Sequence, residues 1–146
     1  MGVEICDITS DCAVTLARLH AACFSCHWDE SYFRNLSADS RGFMINCGVK
    51  NCGFILCRRV MDEVEILTIC VLTEYRSRSF GTQLLEKVLD YSQSSEVKKI
   101  FLEVADNNLP AIALYKRCGF EEVARRPNYY QSAEDSTDAL LMLRRL

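Results

Sequence analysis

One stretch of this 146-residue chain combines residue types that suit the binding of an anion. It reads Tyr75-Arg76-Ser77-Arg78-Ser79-Phe80-Gly81-Thr82 and leads from a strand-like segment into a helix-like one. The first amides of a helix have no partner within the helix, and the helix dipole makes that end positive. Together with two arginine side chains, such a turn could bind phosphate. An ordinary strand-to-helix turn is the alternative interpretation.

A second stretch offers potential ligands for a metal ion. Cys23-Phe24-Ser25-Cys26-His27 matches the pattern of covalent haem attachment, and His20 adds a fourth potential zinc ligand. The chain contains nine cysteines, but Cys47 and Cys52 do not supply a second matched pair. We therefore expect no metal, and we interpret the cysteines as reduced thiols that pack like small apolar side chains.

The composition is typical of an ordinary globular chain with the size of one domain. Hydrophobic residues make up 49% and charged residues 25%, with two prolines and six glycines, which excludes disordered and collagen-like classes. No apolar run approaches the ~18 residues of a membrane span, and the first residues lack the features of a signal peptide. We therefore expect a cytoplasmic protein without a membrane partner. The net charge of -3 disfavours nucleic acid as a partner.

The periodicity of apolar residues predicts the element order βααβββαβαββ. Strands are expected at 3–8, 42–47, 53–61, 64–72, 99–104, 120–124 and 139–143, and helices at 11–24, 29–36, 79–93 and 108–117. Ser10 is expected to cap the first helix. The strand, helix and strand between 64 and 104 form a crossover unit, so its strands should be parallel or nearly so. The predicted fold class is α/β (α+β), with a mixed, mostly antiparallel sheet of about six to seven strands and flanking helices.

Several motifs follow one another in a distinctive order. They are Glu65-Ile66-Leu67-Thr68-Ile69-Cys70-Val71, Tyr75-Arg76-x-Arg78-x-x-Gly81, Phe101-Leu102-Glu103-Val104, Asn108-x-x-Ala111-x-x-Leu114-Tyr115 and Cys118-Gly119-Phe120. Their order and spacing resemble the GNAT superfamily of acetyl-CoA-dependent N-acyltransferases. Within it, the chain is similar to the bacterial ribosomal-protein alanine N-acetyltransferases, the RimI group, through Trp28-x-x-x-x-Phe33, the pair Glu103 and Tyr115, and Arg125-Arg126-Pro127-Asn128-Tyr129-Tyr130. The resemblance implies a single N-acetyltransferase domain over 1–146.

The resemblance also implies acetyl-CoA as co-substrate and assigns residues to it. The pyrophosphate would lie on a loop and helix start, mainly against backbone N–H groups, at Arg76, Ser77, Arg78, Ser79, Phe80, Gly81 and Thr82. The pantetheine arm would pair like an extra strand with the backbone of Ile69, Cys70 and Val71, and Asn108 would hydrogen-bond to it. Ser79 stands where the family usually has glycine. Serine can adopt helical dihedrals and offers a hydroxyl to the phosphate. We therefore expect the replacement of glycine to weaken the phosphate site modestly and not to abolish it.

Two residues correspond to the catalytic pair that the resemblance implies. Glu103 would accept the proton of the attacking amine, directly or through water. Tyr115, two helical turns after Asn108, would also contact the cofactor and protonate the leaving thiolate. A paired structural carboxylate and a packed core tyrosine are the alternative interpretations.

The expected acceptor is the α-amine of a protein N-terminus, in particular the alanine N-terminus of a ribosomal protein. An α-amine with a pKa of about 7.7 to 8.0 is roughly 10% neutral at pH 7, whereas a lysine near 10.4 is below about 0.1%. A single carboxylate therefore suits an N-terminus better than a lysine. Trp28, Tyr129 and Tyr130 could form walls around an extended peptide. Acidic residues near them could meet basic residues of the acceptor or form a solvated loop, namely Glu134, Asp135 and Asp138.

Other functions stay open on the sequence alone. One is an acetyltransferase for a small amine or lysine, and another is a non-catalytic CoA-binding module or a metal-bound Cys/His protein. The sequence does not fix the oligomeric state, for which a monomer is the default.

Overall fold

The strands and helices follow one another in the predicted order βααβββαβαββ. A computed structural model describes residues 2–131 and 136–146, apart from the side chains of Tyr130, Gln131 and Ser136. The strands are β1 Val3–Asp7, β2 Ser40–Cys47, β3 Lys50–Val60, β4 Glu63–Val71, β5 Lys99–Ala105, β6 Glu121–Gln131 and β7 Ser136–Arg145. The helices are α1 Ala13–Cys23, α2 Glu30–Arg34, α3 Phe80–Ser94 and α4 Leu109–Arg117. Within those described ranges, none of the helices has both the length and the apolar character that a membrane span requires.

The seven strands form one mixed sheet in the order β1-β2-β3-β4-β5-β7-β6. Every neighbouring pair is antiparallel except β4 with β5, which is parallel as the crossover unit predicts. This parallel pairing runs only from Glu63 with Lys99 to Glu65 with Phe101. Beyond that point β4 continues to Val71 and β5 to Ala105 without pairing to each other. The sheet therefore opens in its middle, and we call this opening the β4–β5 gap.

Helices cover the sheet on both faces, each through its own apolar cluster. The cluster on the α3/α4 face includes Leu84, Leu85 and Val88 of α3 and alternate residues of β5, namely Ile100, Leu102 and Val104. The cluster on the opposite, α1/α2 face contains Leu16, Leu19, Phe33, Phe54 and Leu56. Because side chains alternate along a strand, the intervening β5 residues Phe101 and Glu103 point to the α1/α2 face.

Two details differ from the predicted elements. The first helix begins at Ala13 after a short 3₁₀ turn at Ser10–Cys12. Its N-cap is Cys12, with no side-chain cap, so the prediction that Ser10 caps this helix is wrong. The last two strands are about twice as long as predicted. The missed part of β6 lies at the sheet edge with residues 121–129 exposed, so it carries no apolar alternation that a sequence pattern could reveal.

Candidate active site

Along β4, the backbone N–H and C=O groups of every second residue point into the gap. The N–H of Leu72 donates to the carbonyl of Cys52 on β3 at 2.9 Å. Hydrogen-bonded and non-hydrogen-bonded pairs alternate along an antiparallel ladder. The backbone of Cys70 therefore also faces β3, whereas the backbone groups of Ile69 and Val71 face the gap. Of the three residues expected to pair with a pantetheine arm, two thus present their backbone to the opening.

Three elements meet at the carbonyl of Val71. This oxygen accepts from Arg76 Nε at 3.0 Å and from the Sγ of Cys23, the last residue of α1, at 3.7 Å. A hydrogen bond from Cys70 lowers the pKa of Cys23, burial opposes this, and the positive charge of Arg76 adds to it. The same thiol pairing, together with burial, raises the pKa of Cys70. Cys23 is therefore more thiolate-like at neutral pH than an ordinary cysteine.

The loop between β4 and α3 has a backbone shape that suits an anion. Ser77 and Ser79 both have φ of 64°, in the left-handed region. Ser79 is the N-cap of α3 with ψ of 18°, so it does not adopt the right-handed helical conformation that we expected of it. Backbone that passes through such residues directs successive N–H groups into a concave anion-binding site. The first amides of α3 adjoin this site, and no acidic residue lies in that first turn.

The remaining loop residues divide between packing and solvent. Phe80 is only 4% exposed and belongs to the core. A Cβ on Gly81 would lie 3.0 Å from a methyl group of α4, so this glycine lets the two helices approach each other. The guanidinium of Arg78 lies 5.4 Å from the ring centre of Tyr75, and Thr82 is half-buried.

Glu103 lies on β5 beside the gap, with its side chain on the α1/α2 face. Its Oε1 is 3.2 Å from Nη2 of Arg126, and the carboxylate-bearing side chain is 24% exposed. A carboxylate that is accessible from the outer side of the sheet can accept a proton from an incoming amine.

Tyr115 and Asn108 both belong to α4, on the opposite face. Asn108 is the N-cap of this helix, and its Oδ1 accepts from the N–H of Ala111 at 3.4 Å. Tyr115 is 6% exposed, and its ring centre lies 6.0 Å from that of Phe120 within the α3/α4 cluster. The two candidate catalytic residues thus lie on opposite faces of the sheet.

A bulge in β6 fixes the backbone next to Arg126. Between Arg126 and Tyr130, three residues of β6 face the single residue Asp138 of β7. Asn128 in this bulge has φ of 55°, and its N–H donates to the Asp138 carboxylate at 2.9 Å. Arg125 donates to the other carboxylate oxygen at 2.9 Å. The Asn128 N–H and the Arg125 guanidinium lower the pKa of Asp138. Bulges of this kind commonly redirect side chains next to functional sites.

The aromatic residues expected to line an acceptor peptide lie in two places. Tyr129 is 51% exposed, and the guanidinium carbon of Arg126 lies 5.2 Å from its ring centre. The side chain of Tyr130 lies outside the described residues, as do Glu134 and Asp135. Trp28 belongs to the aromatic cluster of α1 and α2 on the α1/α2 face.

His20 supports that cluster as a buried neutral ring. Its Nδ1 accepts from the backbone N–H of Trp28 at 3.0 Å, and the two rings stack at 4.6 Å. Burial, aided by the nearby His27, lowers the pKa of His20 to about 4. The Nδ1 lone pair of His20 therefore already accepts a hydrogen bond and is not available to a metal ion. Among the residues that the structure describes, no three His, Cys, Asp or Glu side chains converge as metal ligands do.

Three further residues on the same face had no role predicted from the sequence, namely Tyr32, Arg58 and Glu65. Tyr32 packs 4.4 Å from the Trp28 ring and is 38% exposed. Burial raises its pKa, with Arg58 opposing and Glu65 adding to the shift. Arg58 and Glu65 form an ion pair at 2.6 Å. Glu65 could have been recognised, because it is the last acidic residue of β4 before the apolar residues that border the gap.

The comparison with known sequences identifies relatives over most of the chain. Residues 13–120 match the family described as the Acetyltransferase (GNAT) family. The "[Ribosomal protein bS18]-alanine N-acetyltransferase" of Salmonella typhimurium is 32% identical over 116 residues, which cover 79% of this chain and 78% of the relative. The protein of the same name from Escherichia coli strain K12 has the same identity and coverage.

The comparison with solved structures agrees. The crystal structure of the ribosomal-protein-S18-alanine N-acetyltransferase from Escherichia coli has a TM-score of 0.93 at 27% identity, covering 99% of this chain and 94% of that chain. The structure of Arabidopsis thaliana NAA60 in complex with a bisubstrate analogue has a TM-score of 0.88 at 23% identity, covers 97% of each chain and supports the fold alone. The resemblance and the fold class predicted from the sequence are therefore confirmed, and this chain belongs to the Acetyltransferase (GNAT) family and is an acetyltransferase.

Proposed function

We propose that this protein transfers the acetyl group of acetyl-CoA to the α-amine of a protein N-terminus, in particular an N-terminal alanine of a ribosomal protein. The observation that carries the proposal is the arrangement around the β4–β5 gap. Glu103 is accessible on one face of the sheet, and Tyr115 is buried on the other face. A thioester within the gap would have an amine acceptor side and a separate leaving-group side.

The residues around the gap fit acetyl-CoA. The backbone of Ile69 and the N–H of Val71 would pair with the amides of its pantetheine arm, since the Val71 carbonyl already accepts from Arg76 and Cys23. The carboxamide of Asn108 would assist. The left-handed residues Ser77 and Ser79, with the first amides of α3, would hold the pyrophosphate. Acetyl-CoA supplies the acetyl group as a thioester when it is bound.

The two candidate catalytic side chains divide the proton transfers between them. The amine attacks only when neutral, so Glu103 would take its proton, directly or through water. The thiolate that leaves needs a proton for stability, and the phenol of Tyr115 would provide it from the buried side. Because the two residues lie on different faces, the incoming and leaving groups do not compete for one position.

The charges on the acceptor side favour a peptide over a polycationic amine. Both acidic residues next to the gap are already paired, Glu103 with Arg126 and Glu65 with Arg58. Among the residues that the structure describes, these two carboxylates therefore leave no unbalanced negative charge beside the gap that would attract a polyamine. The half-exposed rings of Tyr32 and Tyr129 provide surfaces for an extended chain. The names of the two relatives point to an alanine N-terminus as the acceptor.

The proposal is tested by incubating the protein with acetyl-CoA and peptides that differ only in the first residue. A second set carries a blocked α-amine and a free lysine. We expect acetylation of the α-amine, fastest for alanine, with mass spectrometry locating the acetyl group. Acetylation of the lysine set alone would refute the proposal and support the lysine acetyltransferase alternative.

A further inference from the structure

A contact on the acceptor side joins β5 to β6 across the intervening strand β7. In the sheet register Glu103 lies opposite Leu141, and Arg126 lies opposite Ala139. The two side chains therefore share the α1/α2 face, and Arg126 Nη2 reaches to 3.2 Å from Glu103 Oε1. To reach Glu103, the Arg126 side chain must cross β7 at Ala139. Ala139 is 1% exposed and has a small side chain that leaves room for this crossing.

The contact with Glu103 positions the Arg126 guanidinium but involves only part of its hydrogen-bonding capacity. A guanidinium has five N–H donors in a planar fork, and the contact with Glu103 engages one terminal nitrogen. Its side chain is 61% exposed, with the Tyr129 ring on one side at 5.2 Å. Donors of the fork therefore border the space in front of the Glu103 carboxylate.

The spacing of this pair matches the first residue of a peptide. Bond lengths place the amine nitrogen and carbonyl oxygen of one residue about 3 Å apart. A carboxylate acceptor and a guanidinium donor 3.2 Å apart match these two groups in chemical type and in separation. The side chain of lysine has no carbonyl next to its amine and would satisfy only one of the two.

We propose that Arg126 is a specificity-determining residue that donates a hydrogen bond to the carbonyl oxygen of the acceptor's first residue, while Glu103 receives the amine of the same residue. The inference rests on the proposed function and narrows its substrate class to amines with a carbonyl on the adjacent carbon. Since the pair has no net charge, recognition depends on paired hydrogen bonds rather than on attraction of an ammonium ion.

The test compares two acceptors on four enzymes. The acceptors are an alanine-starting peptide and the same peptide with its first carbonyl replaced by a methylene group. The enzymes are the wild type, R126Q, R126A and the control R41Q. Arg41 is also an exposed arginine with a carboxylate partner, Asp7 at 3.3 Å, and an aromatic ring at 4.8 Å, but it lies on β2. The measured quantity is the ratio of kcat/KM for the two acceptors.

Differences in amine basicity belong to the acceptors, so they cancel when this ratio is compared between enzymes. We expect R126Q and R126A each to reduce the preference for the carbonyl-containing peptide by about tenfold, the value of one hydrogen bond to a charged group, and R41Q to leave it unchanged. Because Arg126 is exposed on an edge strand, both of its variants should fold. An unchanged preference in either variant overturns the inference but leaves the proposed function standing. Wild-type enzyme that acetylates lysine in α-blocked peptides and neither of these acceptors overturns both.

Discussion

Glu103 is the residue on which the proposed chemistry depends most. We expect Glu103→Gln to reduce turnover of an alanine-starting peptide by about 100-fold near neutral pH, because the amide cannot accept the amine proton. The loss should shrink as pH rises, since the acceptor then arrives increasingly as the neutral amine. Initial rates across pH 6 to 9 measure this.

Glu65→Gln is the matched control for that variant. Glu65 lies on the same face and is also paired with an arginine, yet its loss should cost much less activity. Equal rates for Glu103→Gln and wild type over the whole pH range would show that Glu103 is not the base.

Substitution of Tyr115 should affect protonation of the leaving thiolate, not removal of the proton from the amine. Tyr115→Phe removes the proton donor but retains the ring that packs in the α3/α4 cluster. We expect turnover to fall by about 100-fold with nearly unchanged affinity for acetyl-CoA, and the defect should grow as pH rises. Tyr91→Phe on α3 controls for the loss of a hydroxyl. A proportionate loss of acetyl-CoA affinity in Tyr115→Phe would assign the hydroxyl to binding instead of catalysis.

Cys23 provides a chemical probe of the gap. Its lowered pKa predicts faster alkylation near neutral pH than an ordinary thiol shows, whereas burial and raised pKa values should protect Cys57 and Cys70. Cys23 lies against the Val71 carbonyl, so acetyl-CoA should slow its alkylation. Timed iodoacetamide labelling with peptide mass spectrometry gives both rates. Labelling of Cys23 that acetyl-CoA does not slow would place the cofactor elsewhere.

At the scale of elements, the entry into α3 depends on an unusual serine. Ser79 has φ of 64°, where a side chain costs roughly 1 to 2 kcal/mol compared with glycine. Ser79→Gly should therefore raise the melting temperature by a few degrees and leave acetyl-CoA affinity equal or tighter. Ser79→Ala, which also lacks the hydroxyl but keeps the Cβ, should not show this gain. A lower melting temperature in Ser79→Gly would contradict the assigned backbone conformation.

The sequence predicts the bounds of a helix or strand well where one face of that element is buried. Alternation in β4 and helical spacing in α3 both follow from contact with a core, so their positions could be predicted within one or two residues. The exposed half of β6 has no such pattern and was missed. The left-handed Ser79 was also missed, because no side-chain pattern distinguishes it from a residue in a regular helix.

The candidate active site could likewise be predicted only in part from the sequence. Glu103 and Tyr115 could be proposed as candidates from family motifs, because those motifs record residues of fixed type at fixed spacing. The contact of Arg126 with Glu103 depends on β7, the last strand of the chain, lying between β5 and β6, which are consecutive strands in the sequence. The bulge that holds Arg126 depends in turn on Asp138 of that same strand. Only the assembled sheet reveals such a contact.

At the scale of the whole molecule, the cofactor should act as a structural part of the sheet. A ligand that binds only the folded state stabilises it by mass action, by about 2.7 kcal/mol at 100 times its dissociation constant. Acetyl-CoA should therefore raise the melting temperature by several degrees and slow hydrogen exchange at the amides of Ile69 and Val71. Arg76→Glu and Arg78→Glu should weaken both effects by repelling the pyrophosphate. Unchanged cofactor affinity in both variants would show that the pyrophosphate does not lie at this loop.

The β4–β5 gap also gives this sheet a partly unpaired strand edge in its interior. Proteins usually guard their outer strand edges with charges or prolines because a bare edge recruits strands from other chains. The side chains of Ile69 and Val71 bring no charge to this edge, and the contacts of Arg76 and Cys23 cover only the Val71 carbonyl. When acetyl-CoA is scarce, an extended segment of another chain should therefore be able to pair with the backbone of Ile69 in the gap. A short extended peptide built to pair there would block the cofactor by imitating a strand instead of a nucleotide.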